Sequence, residues 1–261
     1  MNVSFIGYGN IAKAIARGLC RQKTYTLFAS APSLTLGINK ELVHTSHDNK
    51  KIVKEANIII LAVKPAKMQE ILKEISPLIS PQCLLISVAA GLSLSWLAKQ
   101  CAAEQPIIRT MPNIPAAIGL AATPLIANEY TSTLQKESAE GIFASIGITT
   151  WAKHEKEMDV FTALSGSGPA YVFLFIEAMI NAGVLLGLDK SIATNFAFQT
   201  VSGALNIAQN SDISLTQLRS NVTSPAGTTA AALNVLDKHL EDLIFKAMEA
   251  ATNRSHELGA F

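Results

Sequence analysis

Every strand-like run in this chain lies before residue 152, and almost nothing after Glu155 is compatible with a sheet. Before that change, short apolar runs alternate with helical patterns. Asn2–Ile6, Tyr25–Ser30, Asn57–Val63, Leu84–Val88 and Ile107–Met111 are strand candidates, with Leu42–Thr45, Ala116–Asn128 and Ile148–Trp151 beside them. Helical stretches run from Asn10 to Gln22, Pro65 to Ile75, Leu94 to Cys101 and near Thr131 to Ser145. Asn57–Val63 is apolar throughout, as strands covered on both faces are. Such alternation predicts a parallel, doubly wound sheet. After it come only helices, at about 155–164, 169–187, 190–210, 214–220, 227–237 and 239–258. The expected fold class is α/β plus all-α, divided into residues 1–152 and an all-helical remainder, 153–261.

Composition narrows the function classes. The 261 residues are 49% hydrophobic and 16% charged, against about 25% charged in a typical domain. That excludes disorder and leaves much apolar surface to cover. A net charge of +1 gives no footprint for nucleic acid or an anionic membrane. Cys20, Cys83 and Cys101 make neither a disulfide framework nor a Cys-X-X-Cys pair, and the five histidines lack ligand spacing, so no metal is expected. The N-terminus carries no signal-peptide pattern, and a reduced, cytoplasmic protein is expected. Ala170–Leu188 has the ~20 apolar residues that span a bilayer, but Glu177 and Asn181 sit in its middle, where they are costly. It is expected to be a core or subunit-interface helix.

Phe5-Ile6-Gly7-Tyr8-Gly9-Asn10-Ile11-Ala12 follows the first strand and opens the first helix. Gly7 permits the tight turn, Gly9 lets a pyrophosphate approach the backbone, and Ala12 lets helix and strand pack closely. The helix N-terminus offers free N–H groups to phosphate. This is the signature of a Rossmann-type dinucleotide site. NAD sites place Asp or Glu about 20 residues on, at the end of the second strand. Here that place holds Phe28-Ala29-Ser30-Ala31-Pro32-Ser33, and the next carboxylate is Glu41. With no anion to repel a 2′-phosphate, NADPH is expected to be preferred over NADH.

Four further strings carry a family resemblance: Ala62-Val63-Lys64-Pro65, Met111-Pro112-Asn113, Ser165-Gly166-Ser167-Gly168-Pro169-Ala170-Tyr171 and Val222-Thr223-Ser224-Pro225-Ala226-Gly227-Thr228-Thr229. In order and over nearly the whole chain, they resemble the pyrroline-5-carboxylate reductases. One departure is Ala226, where the family more often has Gly. The resemblance implies reduction of the C=N bond of 1-pyrroline-5-carboxylate to L-proline with NAD(P)H, the last step of proline biosynthesis. It implies an NADP-binding domain followed by a helical domain that builds a homodimer and the substrate site, with five dimers forming a decamer. The cofactor contacts it implies are Ile6, Gly7, Tyr8, Gly9, Asn10, Ile11, Asn49, Ala62, Val63, Lys64, Pro65, Ala89, Ala90, Gly91 and Asn221. Ser30 and Ala31 fall in its ribose-phosphate loop.

For so small a substrate, a helix starting near Gly227 offers the N–H groups of Gly227, Thr228 and Thr229 to the carboxylate, and Ser224 adds a hydroxyl. Thr229 is placed to bond the imine nitrogen, and Ser165 is a candidate pocket residue. An N-capping loop is the other explanation of the string. No His, Cys or Lys in it supplies a proton; either the imine arrives protonated or Thr229 relays a proton from water. Glu155 and Asp159 are nearby acids that a solvated helix N-terminus explains equally. Two rivals remain. One is a β-hydroxyacid dehydrogenase, whose lysine is missing from Ala170–Leu188. The other is a non-catalytic NADP-binding protein, which needs no Ser224–Thr229 string.

Overall fold

The computed structural model describes residues 1–22 and 24–259. They form two compact units. The first is Met1–Pro169 with the C-terminal stretch that begins at Glu249, and the second is Ala170–Met248.

The first unit is built on a nine-stranded sheet. Its strands are β1 (Asn2–Ile6), β2 (Thr26–Ser30), β3 (Gly37–Ile38), β4 (Val43–Ser46), β5 (Ile58–Leu61), β6 (Leu84–Ser87), β7 (Ile107–Thr110), β8 (Ala121–Ala127) and β9 (Gly147–Trp151). Their order is β3-β4-β2-β1-β5-β6-β7-β8-β9. Successive strand residues point to opposite faces, and here both faces are apolar. Val3, Phe5, Ile58, Ile60, Leu84 and Ile86 join one buried cluster. Ile6, Ile59, Leu61 and Leu85 join the other.

Helices cover both faces. α1 (Asn10–Leu19) buries Ala12, Ala14, Ile15, Ala16 and Leu19. After α2 (Asn49–Val53) comes α3 (Pro65–Ile75), whose first position is the proline and whose Met68, Leu72 and Ile75 are buried at helical spacing. α4 (Leu94–Lys99) is capped by Ser93. α5 (Thr133–Ala144) opens with a Ser132–Gln135 capping box, a device whose cap residue alone is typically worth ~1 kcal/mol. Phe143 is fully buried, which stabilises by roughly 1.5–3 kcal/mol.

The sheet is mixed rather than parallel throughout. β3 runs antiparallel to β4, and β7 to β8. Between β7 and β8 lie only residues 111–120, part of them a tight helical turn at Ile114–Ile118. That is too short for the crossover a parallel pair requires. The expected strand at Ala116–Asn128 accordingly begins only at Ala121.

Beyond β9 the chain is helical: α6 (Glu157–Phe161), α7 (Gly168–Leu185), α8 (Lys190–Gln209), α9 (Leu215–Asn221), α10 (Thr228–Leu236) and α11 (Leu240–Gly259). The Ser165 string is not the break the sequence predicts. One wide turn, Thr162–Gly166, joins α6 to α7, with the Ser167 N–H bonded five residues back to the Thr162 carbonyl at 2.8 Å. Glu157–Leu185 is thus one 29-residue helix, and by length and composition alone it could cross a membrane.

Within the second unit the apolar groups are not enclosed. No residue of α7 is buried, and α8 buries only Ala193 and Ala197. Phe173 is 60% exposed and Phe196 69%. A cavity of 400 Å³ opens beside them, lined by Phe173, Ile176, Ile180 and Phe198 with Glu177 and Lys190. In the single chain, α7 is therefore not a core helix.

Candidate active site

The fingerprint residues converge at the carboxyl ends of β1, β2, β5 and β6. The strand order reverses beside β1, since β2 follows it on one side and β5 on the other. Crevices at such reversals are where open α/β sheets bind ligands. Gly7 leaves β1 with φ +86°, and its N–H donates to the Ser30 carbonyl at 2.9 Å. A Cβ on Gly7 would stand 2.7 Å from the Ala62 carbonyl oxygen and 2.9 Å from Val63. A Cβ on Gly9 would meet nothing within 4 Å. Gly9 is the N-cap of α1, with no side-chain cap bond and no acidic residue in the first turn. The first N–H groups of a helix lack intrahelical partners, so those of Asn10 and Ile11 remain for a ligand. An open glycine edge before an uncapped helix end fits a pyrophosphate. Tyr8 is buried and accepts from Asn39 Nδ2 at 3.2 Å; burial raises its phenol pKa.

Ser30, at the end of β2, is 2% exposed, and its hydroxyl has no hydrogen-bond partner. Ala31 follows, its N–H donating to the Ser46 carbonyl at 3.3 Å. Glu41, the first downstream carboxylate, is 7% exposed and paired with Arg17 at 3.2 Å. Asn49 is the first residue of α2 and donates to Glu74 at 3.0 Å. Ala62–Pro65 connects β5 to α3, with Lys64 the N-cap and its side chain exposed. Ala89-Ala90-Gly91 follows β6, with Gly91 at φ +78°.

Ser165 sits in the wide helical turn. Pro169 has no N–H for the carbonyl four residues back, which is that of Ser165. Asn113 Nδ2 donates to that carbonyl at 2.9 Å, while its Oδ1 accepts from the Ala122 N–H at 3.0 Å. Ser165 Oγ is occupied by the Phe161 carbonyl at 2.9 Å.

The remaining candidates lie in the second unit. Asn221 ends α9 and accepts from Gln217 at 2.8 Å. Gly227 is the N-cap of α10, and a glycine brings no side chain to the cap. The Gly227 N–H donates to the Ser224 carbonyl at 3.0 Å. Ser224 and Thr228 are exposed and Thr229 half-buried. Ala226 stands in the left-handed region at φ +58°, where an L-residue carries a cost of roughly 1–2 kcal/mol. That accounts physically for glycine being commoner at this position.

Three side chains have partners that no local pattern announces: Arg109, a lone charge in an apolar strand, Asn113 after Pro112, and Asp159. Arg109 is buried and pairs with Glu155 at 3.0 Å and Asp159 at 3.7 Å. Neither carboxylate is therefore merely a solvated acid at a helix start. Burial pushes the Cys83 and Cys101 thiols up to about 12 and about 11. Among the described residues no three His, Cys, Asp or Glu side chains gather as a metal site.

Comparison with known proteins places these features. Residues 155–258 match the family model for pyrroline-5-carboxylate reductase dimerisation, and residues 2–91 that for NADP oxidoreductase, coenzyme F420-dependent. The pyrroline-5-carboxylate reductase of Pseudomonas aeruginosa is 36% identical over 262 residues, covering 98% of this chain and 96% of that protein. A pyrroline-5-carboxylate reductase structure from Coxiella burnetii covers 100% of this chain and 99% of its own at 37% identity, with TM-score 0.90. The Plasmodium falciparum pyrroline carboxylate reductase with NADP bound superposes with TM-score 0.89 at 34% identity, covering 100% of this chain and 98% of its own.

Proposed function

The chain belongs to the pyrroline-5-carboxylate reductase family and reduces the C=N bond of 1-pyrroline-5-carboxylate to L-proline with NAD(P)H, and we propose that it does so with the residues placed above. The observation that carries the assignment is a glycine cradle at the sheet's switch point in the same chain as the dimerisation sequence at 155–258. Bound NADPH supplies the hydride for the imine carbon. Gly7, Gly9, Asn10 and Ile11 would hold its pyrophosphate, with Ile6 and Tyr8 in the same strand-to-helix turn. Ser30 and Ala31 take the ribose phosphate. Asn49, Ala62–Pro65 and Ala89–Gly91 complete the contacts of the first unit, and Asn221 is the one that the family resemblance adds.

NADPH is the preferred reductant. Ser30 presents a buried, unpartnered hydroxyl where an NAD-specific site carries an acid, and Glu41 is committed to Arg17. The ratio of kcat/KM for NADPH to that for NADH, measured at saturating imine, is expected to exceed one clearly. A preference for NADH would overturn this reading.

The substrate carboxylate is held by the first N–H groups of α10, at Gly227, Thr228 and Thr229, with the Ser224 hydroxyl. Thr229 hydrogen-bonds the imine nitrogen and fixes the neighbouring carbon for hydride. Thr229→Val keeps the shape and removes the hydroxyl. Its kcat/KM for the imine is expected to fall by roughly 10- to 100-fold, the worth of about 1.5–3 kcal/mol for a bond to a charged group. NADPH affinity should stay unchanged. Wild-type kinetics in that variant would leave Thr229 without a role in the reaction.

The functional division falls near residue 152, with 1–152 binding NADP and 153–261 serving dimerisation and substrate. Residues 153–169 nonetheless pack within the first unit. The exposed faces of α7 and α8 form the homodimer surface, rather than a membrane span, and five dimers build a decamer. We place the enzyme in the cytoplasm, in keeping with three unpaired cysteines. Phe196→Glu puts a charge into this apolar face, and sedimentation should show monomers without activity. An active monomer would refute the dimer surface.

A further inference from the structure

A cluster of charged and polar side chains that the reduction does not use stands behind the Ala89–Gly91 loop. At its centre is Arg109, 6% exposed in β7. Glu155 Oε1 accepts from Arg109 Nη1 at 3.0 Å and from the Leu94 N–H at 2.7 Å, at the downstream end of the loop. Asp159 Oδ1 faces Arg109 Nη2 at 3.7 Å and accepts from Ser255 Oγ at 2.7 Å; His256 Nδ1 is 3.7 Å from its other oxygen. Ser255 and His256 belong to the end of α11, and the same stretch closes on the loop itself. A Cβ on Gly91 would stand 2.9 Å from Leu258 Cβ, and one on Gly259 would stand 2.8 Å from the Gly91 carbonyl oxygen. The fit leaves no room for a methyl group on either side. A cleft of 340 Å³ runs along the cluster, bounded by Ser93, Arg109, Lys156, Asp159 and Gly259.

We propose that the last turns of α11 are a clasp that positions the Ala89–Gly91 loop for the cofactor. Arg109 holds both ends of the device. Through Glu155 it fixes the backbone at Leu94, and through Asp159 and Ser255 it fixes the helix whose Leu258 lies on Gly91. The loop has few bonds of its own; the Ala89 N–H reaches Ser87 Oγ at 3.3 Å. Asp159, Ser255 and Leu258 are positioning residues and touch no reacting atom. The inference rests on the reading of Ala89–Gly91 as cofactor contacts.

The test uses the full chain with Ser255→Ala and Gly259→Ala, the first removing one hydroxyl and the second setting a methyl group against the Gly91 carbonyl oxygen, which forces helix and loop apart. Amide hydrogen exchange over residues 88–94 is measured without cofactor, and NADPH affinity by fluorescence titration. Both variants should exchange faster there and bind NADPH about fivefold more weakly, the equivalent of one hydrogen bond. At saturating NADPH, kcat and the imine KM should be unchanged, a split that a general loss of stability would not give. Unchanged exchange at 88–94 in both variants would overturn the clasp. Faster exchange with wild-type NADPH affinity would instead overturn the loop's assignment as a cofactor contact, and its positioning role with it.

Discussion

Gly7→Ala should abolish useful dinucleotide binding, and Gly9→Ala should weaken it without disturbing the fold. The two glycines differ in what surrounds them. At Gly7 an added methyl group stands 2.7 Å from a backbone oxygen at a φ of +86°. The left-handed backbone alone costs an L-residue about 1–2 kcal/mol, and the β1–α1 turn must shift to relieve the contact. NADPH affinity should fall more than about 100-fold, or ~2.7 kcal/mol, with a lowered unfolding midpoint. At Gly9 the backbone is ordinary and the space around a Cβ is open. Gly9→Ala should therefore unfold at the wild-type denaturant concentration yet bind NADPH at least tenfold more weakly. Any loss there comes from the ligand, because nothing in the protein is crowded. Wild-type affinity in Gly9→Ala would remove the pyrophosphate from this turn.

Asn113→Ala is expected to destabilise the first unit strongly. Asn113 is 8% exposed, and its amide closes two gaps at once. It supplies the N–H that Pro169 cannot give to Ser165, and it accepts the N–H of Ala122 at the start of β8. Alanine orphans both groups. At ~1–3 kcal/mol for each of the two unsatisfied buried groups, the loss is roughly 2–6 kcal/mol, a large share of the 5–15 kcal/mol of a typical domain. Asn113→Asp separates the two roles. It keeps an acceptor for Ala122 but turns an oxygen toward the Ser165 carbonyl, so it should lose stability as well. Guanidinium unfolding at one fixed protein concentration measures both. A shift below about 0.5 kcal/mol for alanine, the size expected of an ordinary surface change, would show that water or another group replaces the amide.

The parts of the fold carried by periodicity were legible. β5 announces itself because a strand covered on both faces is apolar at every position, β1 and β6 because their runs are largely so, and α1 and α3 because their apolar residues recur at helical spacing. Gly7 was legible because its left-handed, crowded turn needs glycine, and Gly9 because of its spacing from Gly7 ahead of a helix. Less was visible where the deciding partner is far away in sequence. Nothing local says that β8 turns back on β7; the shortness of the link decides it. Gly168-Pro169 suggests a break, yet the helix continues because Asn113, 52 residues from Ser165, takes up the orphan carbonyl. Arg109 is an anomaly in its strand, but its meaning depends on Glu155, Asp159 and Ser255, up to 146 positions on. The Ser224–Thr229 loop was found by its composition. That a glycine, and none of its hydroxyl residues, stands at the cap position emerged only from the backbone.

Helix α7 has no buried residue in the isolated chain. On the proposed dimer surface such a helix would gain its cover when two chains meet, so folding of the second unit and encounter of the chains would become one reaction. Its equilibrium then follows mass action rather than a fixed free energy. Each tenfold dilution withdraws about 1.4 kcal/mol from every mole of dimer. The amount of chain a cell makes thus acts on the persistence of the fold as directly as a substitution would. A variant harmless at high expression can fail at low expression with every one of its contacts intact.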